Sequence, residues 1–144
     1  MAKYAQGIYE LLNPKKYAGN KRPFYRSGWE HAFMRFCDNH PGIINWVSEG
    51  VQIPYRNPLT GKQTIYVPDF FITFQDKKGR KRAELIEVKP NSQTRLTERT
   101  SKRDKLAIAI NHAKWEAAAK WCKLKGVTFR VVTEDDIFHK GKRR

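Results

Sequence analysis

Pro68-Asp69 and, further along, Glu87-Val88-Lys89 place two carboxylates and an ammonium at the ends of two apolar, β-prone segments. Residues 64–74, rich in Ile, Tyr, Val and Phe, read as one strand, and residues 83–89 read as its partner across a turn. Side chains alternate faces along a strand, so Glu87 and Lys89 project to one side while Ile86 and Val88 project to the other. Carboxylate oxygens suit a hard cation such as Mg²⁺, and a lysine beside them is left to meet a phosphate or a water. Asp69 stands between Val67 and Phe70-Phe71-Ile72, where an unpaired charge is costly.

The elements that must carry these groups follow from local signals. Residues 5–12 suggest a short helix, and residues 13–22 a basic connection. Ser27 caps a helix that runs to about Asn39, with Trp29, Phe33, Phe36 and Cys37 at core spacing and Pro41-Gly42 ending it. A helical turn is expected over 43–47, a strand over 50–55 with Pro54 marking an edge or bend, and a turn over 57–62. A basic turn around Gly79 joins the two strands that carry the acids. Residues 91–105 hold almost no apolar side chain and read as a loop. The longest helix spans 106–125, with Gly126 at its C-terminal cap, followed by a strand over 127–132 and a brief helix from 133. The order is helix, three strands in meander, helix, strand and short helix, an α/β (α+β) sandwich with a mixed sheet of about four strands. We expect one domain over 1–144, with a basic N-terminal extension (1–24) and a basic C-terminal tail (139–144).

Charge narrows the class of partner. The 29 Lys and Arg against 14 Asp and Glu leave a net charge of +15, an excess that favours a polyanion. No apolar run reaches about 18 residues and no signal-peptide pattern is present, so neither a membrane span nor export by that route is expected. Cys37 and Cys122 form no CxxC or Cys/His cluster and read as buried thiols. The scattered His31, His40, His112 and His139 carry no ligand assignment.

Pro68-Asp69 with Glu87-Val88-Lys89, in this element order, resembles the PD-(D/E)XK nuclease superfamily. That resemblance implies a restriction-endonuclease-like αβββαβ core and an acid on the first helix, for which Glu30 is the candidate. Over most of the chain the sequence is similar to the head completion nucleases of tailed phages. The similarity rests on Tyr25-Arg26-Ser27-Gly28-Trp29-Glu30, Asp38-Asn39-His40-Pro41, Trp46-Val47-Ser48-Glu49, Ile53-Pro54-Tyr55, Glu87-Val88-Lys89-Pro90, Trp115-Glu116-Ala117-Ala118 and 129–135. Transposon-end-cleaving endonucleases look similar over a shorter span, and phage junction-resolving endonucleases share the core. The resemblance implies a Mg²⁺-dependent DNA endonuclease, with Mn²⁺ able to substitute, that acts late in virion assembly on DNA ends or branched DNA. It further implies capsid or portal partners, a homodimer if the chain resolves junctions, and a place in the host cytoplasm or the virion.

Each expected role has a plainer reading beside it. Asp69 and Glu87 are metal ligands, with the Val88 carbonyl as the third oxygen that the resemblance implies, or a capped strand end and a cross-strand ion pair. Lys89 stabilises charge on phosphate or helps activate water, or pairs with Glu87. Glu30 contacts the metal, or closes a capping box with Ser27. Tyr25 and Arg26 are expected on the substrate backbone near the scissile phosphate, or Arg26 is a surface charge. Lys77, Lys78, Arg80, Lys81 and Arg82 at the hairpin, and Arg95, Arg99, Lys102, Arg103 and Lys105 in the loop, either grip phosphates or are solvated surface. A different enzyme on the same core, or a non-catalytic DNA-binding virion protein, are the competing functions.

Overall fold

The computed structural model describes residues 6–91, 94 and 100–139. Its centre is a four-stranded sheet in the order β3-β6-β7-β8, built from Ile43–Ser48 (β3), Phe70–Gln75 (β6), Lys81–Val88 (β7) and Thr128–Val132 (β8). The first three strands run antiparallel in a meander, and β8 joins β7 in parallel. Such a parallel return needs a crossover, which α2 (Lys102–Lys125) supplies. With α1 (Gly28–Asn39) before the meander, the order α1-β3-β6-β7-α2-β8 is the expected αβββαβ core. Two small ribbons flank it: β1 (Gly7–Ile8) pairs with β2 (Phe24–Tyr25), and β4 (Ile53–Arg56) with β5 (Gln63–Tyr66). A last helix, α3, spans Glu134–His139.

The alternation of β7 assigns its two faces. Ile86 and Val88 join Phe33, Met34, Cys37, Trp46 and Phe70 in the cluster on the α1 side. Leu85 joins Ile53, Tyr55, Tyr66, Ala118 and Cys122 on the α2 side. Both cysteines are buried free thiols. Among the described residues no helix is long and apolar enough to cross a membrane.

Five expectations are corrected. Within 5–12 the chain forms strand β1 at Gly7–Ile8, where Gly7 lets the Tyr25 ring approach so closely that a Cβ would lie 2.8 Å from its hydroxyl. Residues 43–47 are the first strand of the sheet, not a helical turn, because β6 supplies a partner and Trp46 buries to 1% exposure. The segment 50–55 contributes only from Ile53 onward, to the flanking ribbon. The expected strand over 64–74 is two strands, broken where Pro68 can donate no ladder hydrogen bond. The long helix also starts earlier than expected: Ser101 Oγ accepts from Asp104 N–H at 3.1 Å, so Lys102, Arg103 and Lys105 are helical. Gly126 does cap its end in the left-handed region, at φ 71°.

Candidate active site

The break between β5 and β6 and the end of β7 lie side by side and create the site. β6 and β7 pair Phe70 with Ile86, so continuing that register sets Pro68 opposite Val88. Lys89 N–H bonds Val132 O in β8, so the alternate residue Val88 turns its N–H and C=O toward the β6 side. The Val88 N–H meets Asp69 Oδ2 at 2.8 Å. In that continued register its carbonyl would be turned toward Pro68, which has no N–H to offer. Pro68 thus lies in the break between the two strands, where Asp69 turns in to the Val88 N–H, and on the continued register it would withhold a donor from the Val88 oxygen.

Glu87 is 5% exposed on the α2 face, where Tyr66 O–H donates to Oε1 at 2.7 Å. Lys89 Nζ lies 3.6 Å from Oε2. Burial and the Glu87 charge push the Tyr66 phenol far up, so it remains a donor. Burial also raises Glu87, against the pull of Lys89, Tyr66 and Lys114. Asp69 is raised well above the usual carboxylate range by burial, then by the charges of Glu87 and Glu30. Lys114 reaches in from α2, its Nζ 5.6 Å from the centre of the Tyr66 ring. Burial and Lys89 hold its ammonium below the lysine range, while Glu87 and Asp69 pull it up.

Glu30 closes the site from α1. Ser27 caps the helix by accepting Glu30 N–H at 3.1 Å, as expected, but the Glu30 carboxylate accepts from Arg26 N–H at 3.1 Å. Burial raises its pKa, and Glu49 and Glu87 add to this. Glu49 follows β3 with φ 53°, a left-handed conformation that costs a glutamate about 1–2 kcal/mol. It is held there by its N–H on Asp69 O at 2.9 Å and by its carboxylate on Arg26, at 2.9 Å to Nε and 3.2 Å to Nη2.

The structure thus brings Glu30, Asp69, Glu87, Val88, Lys89 and Arg26 together. Tyr25 is next to them in sequence, but its ring is stacked on His31 at 4.1 Å. Lys77, Lys78, Arg80, Lys81 and Arg82 lie at the opposite end of β6 and β7. Lys102 and Arg103 are exposed in the first turn of α2, and Arg95 and Arg99 lie outside the described residues. Sequence reasoning assigned no role to Glu49, Tyr66 or Lys114. The positive φ of Glu49 has no sequence signature, and the other two reach the site only once α2 and the β4-β5 ribbon pack over the sheet.

Among the described residues no three His, Cys, Asp or Glu side chains stand as a ready-made metal cage. The donors at hand are two carboxylates and a carbonyl, all hard oxygens suited to Mg²⁺. Acids raised by burial and then by one another's charge fit such a cation better than they fit an empty interior.

Residues 40–134 match the TnsA-like endonuclease N-terminal family. A head completion nuclease of Enterobacteria phage T4 is 35% identical over 142 residues, covering 91% of this chain and 92% of that protein. With the αβββαβ core and the matched segment spanning both acids, the chain belongs to the TnsA-like endonuclease family of nucleases.

Proposed function

We propose that this protein is a metal-dependent DNA endonuclease and that it acts as a phage head completion nuclease, on DNA ends or branched DNA during packaging and virion assembly. The observation that carries the reading is the pairing of Asp69 and Glu87 at the adjoining ends of β6 and β7, with Lys89 3.6 Å from Glu87. Asp69, Glu87 and the Val88 carbonyl would hold Mg²⁺ or Mn²⁺, with Glu30 on the far side. The cation supplies Lewis acidity at the phosphate and a nucleophile at neutral pH.

The protein's own groups do the rest. Val88 N–H and Tyr66 O–H fix one oxygen of each carboxylate, leaving the other oxygen to face the site. Lys89, drawn toward Glu87, offsets negative charge that develops on the phosphate. Arg26, paired with Glu49 on one edge and more than half exposed, meets the DNA backbone beside the cleaved bond, with Tyr25 behind it. Lys102 and Arg103 extend the positive surface along α2, and affinity comes from such phosphate contacts. Capsid or portal proteins are the assembly partners, the host cytoplasm or the virion is the location, and a homodimer belongs to the junction-resolving alternative.

The test is cleavage of linear, nicked, flapped and branched duplex DNA with Mg²⁺, with Mn²⁺ and with EDTA. Cutting restricted to the metal-containing reactions supports the reading, and the preferred DNA chooses between head completion and junction resolution. DNA binding without cutting on every substrate refutes it.

A further inference from the structure

The hairpin cations, expected either to grip phosphates or to be solvated surface, lie far from Asp69 and Glu87. Six residues of β7 separate Lys81 from Glu87, roughly 20 Å at 3.3 Å per residue. α2 measures the same gap: Lys114 stands by Glu87, and Lys125 is eleven residues on, about 16 Å along the helix. Lys81 and Glu87 are both odd-numbered in β7 and so share its α2 face. At the Lys81 end of that face lies a cavity of about 360 Å³ lined by Thr73, Arg80, Lys81, Arg82, Lys125 and Thr128.

The hairpin tip beside this cavity is held in a fixed shape. Asp76 accepts the backbone N–H of Lys78 and Arg80, each at 2.9 Å, and the Nε–H of Arg80 and Arg82 at 3.1 and 2.8 Å. One carboxylate thereby fixes the hairpin tip and two guanidinium groups by their inner nitrogens. Among the described residues the outer Nη groups have no bonded partner, and both side chains are more than half exposed. Lys81 and Lys125 with the hydroxyls of Thr73 and Thr128 in the cavity, and fixed guanidinium forks at the hairpin tip beside it, suit phosphate oxygens.

We propose that this groove is a second phosphate-backbone site, which grips the DNA arm about five to six base pairs from the cleavage position, at 3.4 Å per base pair. The proposal rests on DNA being the substrate. Its position on the face that carries Glu87 and Lys89, at a spacing one straight duplex can bridge, favours DNA over an acidic protein.

The experiment measures binding of duplexes of increasing arm length to the full chain in EDTA, so that no cutting is required. Wild type is compared with Lys81→Gln/Lys125→Gln, which leaves Asp76 and both arginines in place, and melting curves check the fold. The wild-type affinity rises when the arm passes about six base pairs. In the variant that rise disappears, and the slope of log affinity against log salt falls by about 2, near 0.9 per phosphate contact. Equal affinity and slope in the two proteins overturn the groove and leave it to an acidic protein surface. Intact wild-type binding without any Mg²⁺-dependent cutting overturns the nuclease reading alone.

Discussion

Replacing Tyr66 by Phe removes one oxygen, the donor that meets Glu87 Oε1 at 2.7 Å. Glu87 is 5% exposed, and its other close partner, Lys89, stands at 3.6 Å. Water therefore cannot readily replace the lost bond. A hydrogen bond to a charged group contributes about 1.5–3 kcal/mol. For a chain of this length that corresponds to a melting temperature lower by about 5–10 °C at neutral pH.

The loss depends on pH in a definite direction. Burial already raises Glu87 above its unfolded value, so the folded protein takes up this proton first as pH falls. Acidification through that window favours the folded state, because it then binds more protons than the unfolded chain. Without Tyr66 the raised value climbs further, so the variant's deficit shrinks between pH 7 and pH 5. Thermal unfolding in EDTA at both pH values, in the wild-type and Glu87→Gln backgrounds, measures this. A deficit equal at both pH values and unchanged in Glu87→Gln would show that Tyr66 contributes packing only. In cleavage assays the same substitution lowers activity about 10- to 100-fold, the range for groups that orient a metal ligand.

Two further substitutions test other parts of the structure. Asp38, fully buried, accepts Tyr9 O–H, Leu12 N–H and Asn13 N–H at 2.8, 2.8 and 3.0 Å, fastening the N-terminal segment to α1. Burial alone would raise its carboxyl, but these bonds outweigh burial and hold it low, so their stability is present above the unfolded value near 4 and lost as pH falls below it. Asp38→Asn should destabilise by about 1–3 kcal/mol at pH 7 and less near pH 3, and denaturant titration at the two pH values checks both. Pro68→Ala restores an N–H opposite the Val88 carbonyl; a new backbone bond of about 0.5–1.5 kcal/mol weakens cation binding about twofold to tenfold. The readout is a smaller Mg²⁺-induced rise in melting temperature, and an undiminished rise would remove the Val88 oxygen from the donor set.

The cluster of two acids and a lysine was legible because it is local. Pro68-Asp69 and Glu87-Val88-Lys89 state their own spacing, and Ser27 with Pro41-Gly42 marks the bounds of α1. What escaped depends on tertiary partners. Ile43–Ser48 is a short apolar run whose helix or strand fate is set by β6 alongside it. The span 64–74 looks continuous in hydrophobicity, yet Pro68 divides it into a strand of the flanking ribbon and a strand of the sheet. Glu49 reads only as an acid close to a strand start, and only the folded chain sets it on Arg26 and Asp69. The hairpin cations were legible as a cluster but not as remote, since distance along β7 exists only once Asp69 and Glu87 are placed at its other end.

The central claim is that Asp69 and Glu87 hold a divalent cation which, with Lys89, hydrolyses DNA. The most direct measurement is the cleavage rate of one preferred DNA by wild type, Asp69→Asn and Lys89→Ala, each with Mg²⁺ and with EDTA, beside their affinities for the same DNA. The account predicts cutting only by wild type with Mg²⁺ and DNA affinities similar in all three. Cutting that persists in EDTA, or in Asp69→Asn, would contradict it.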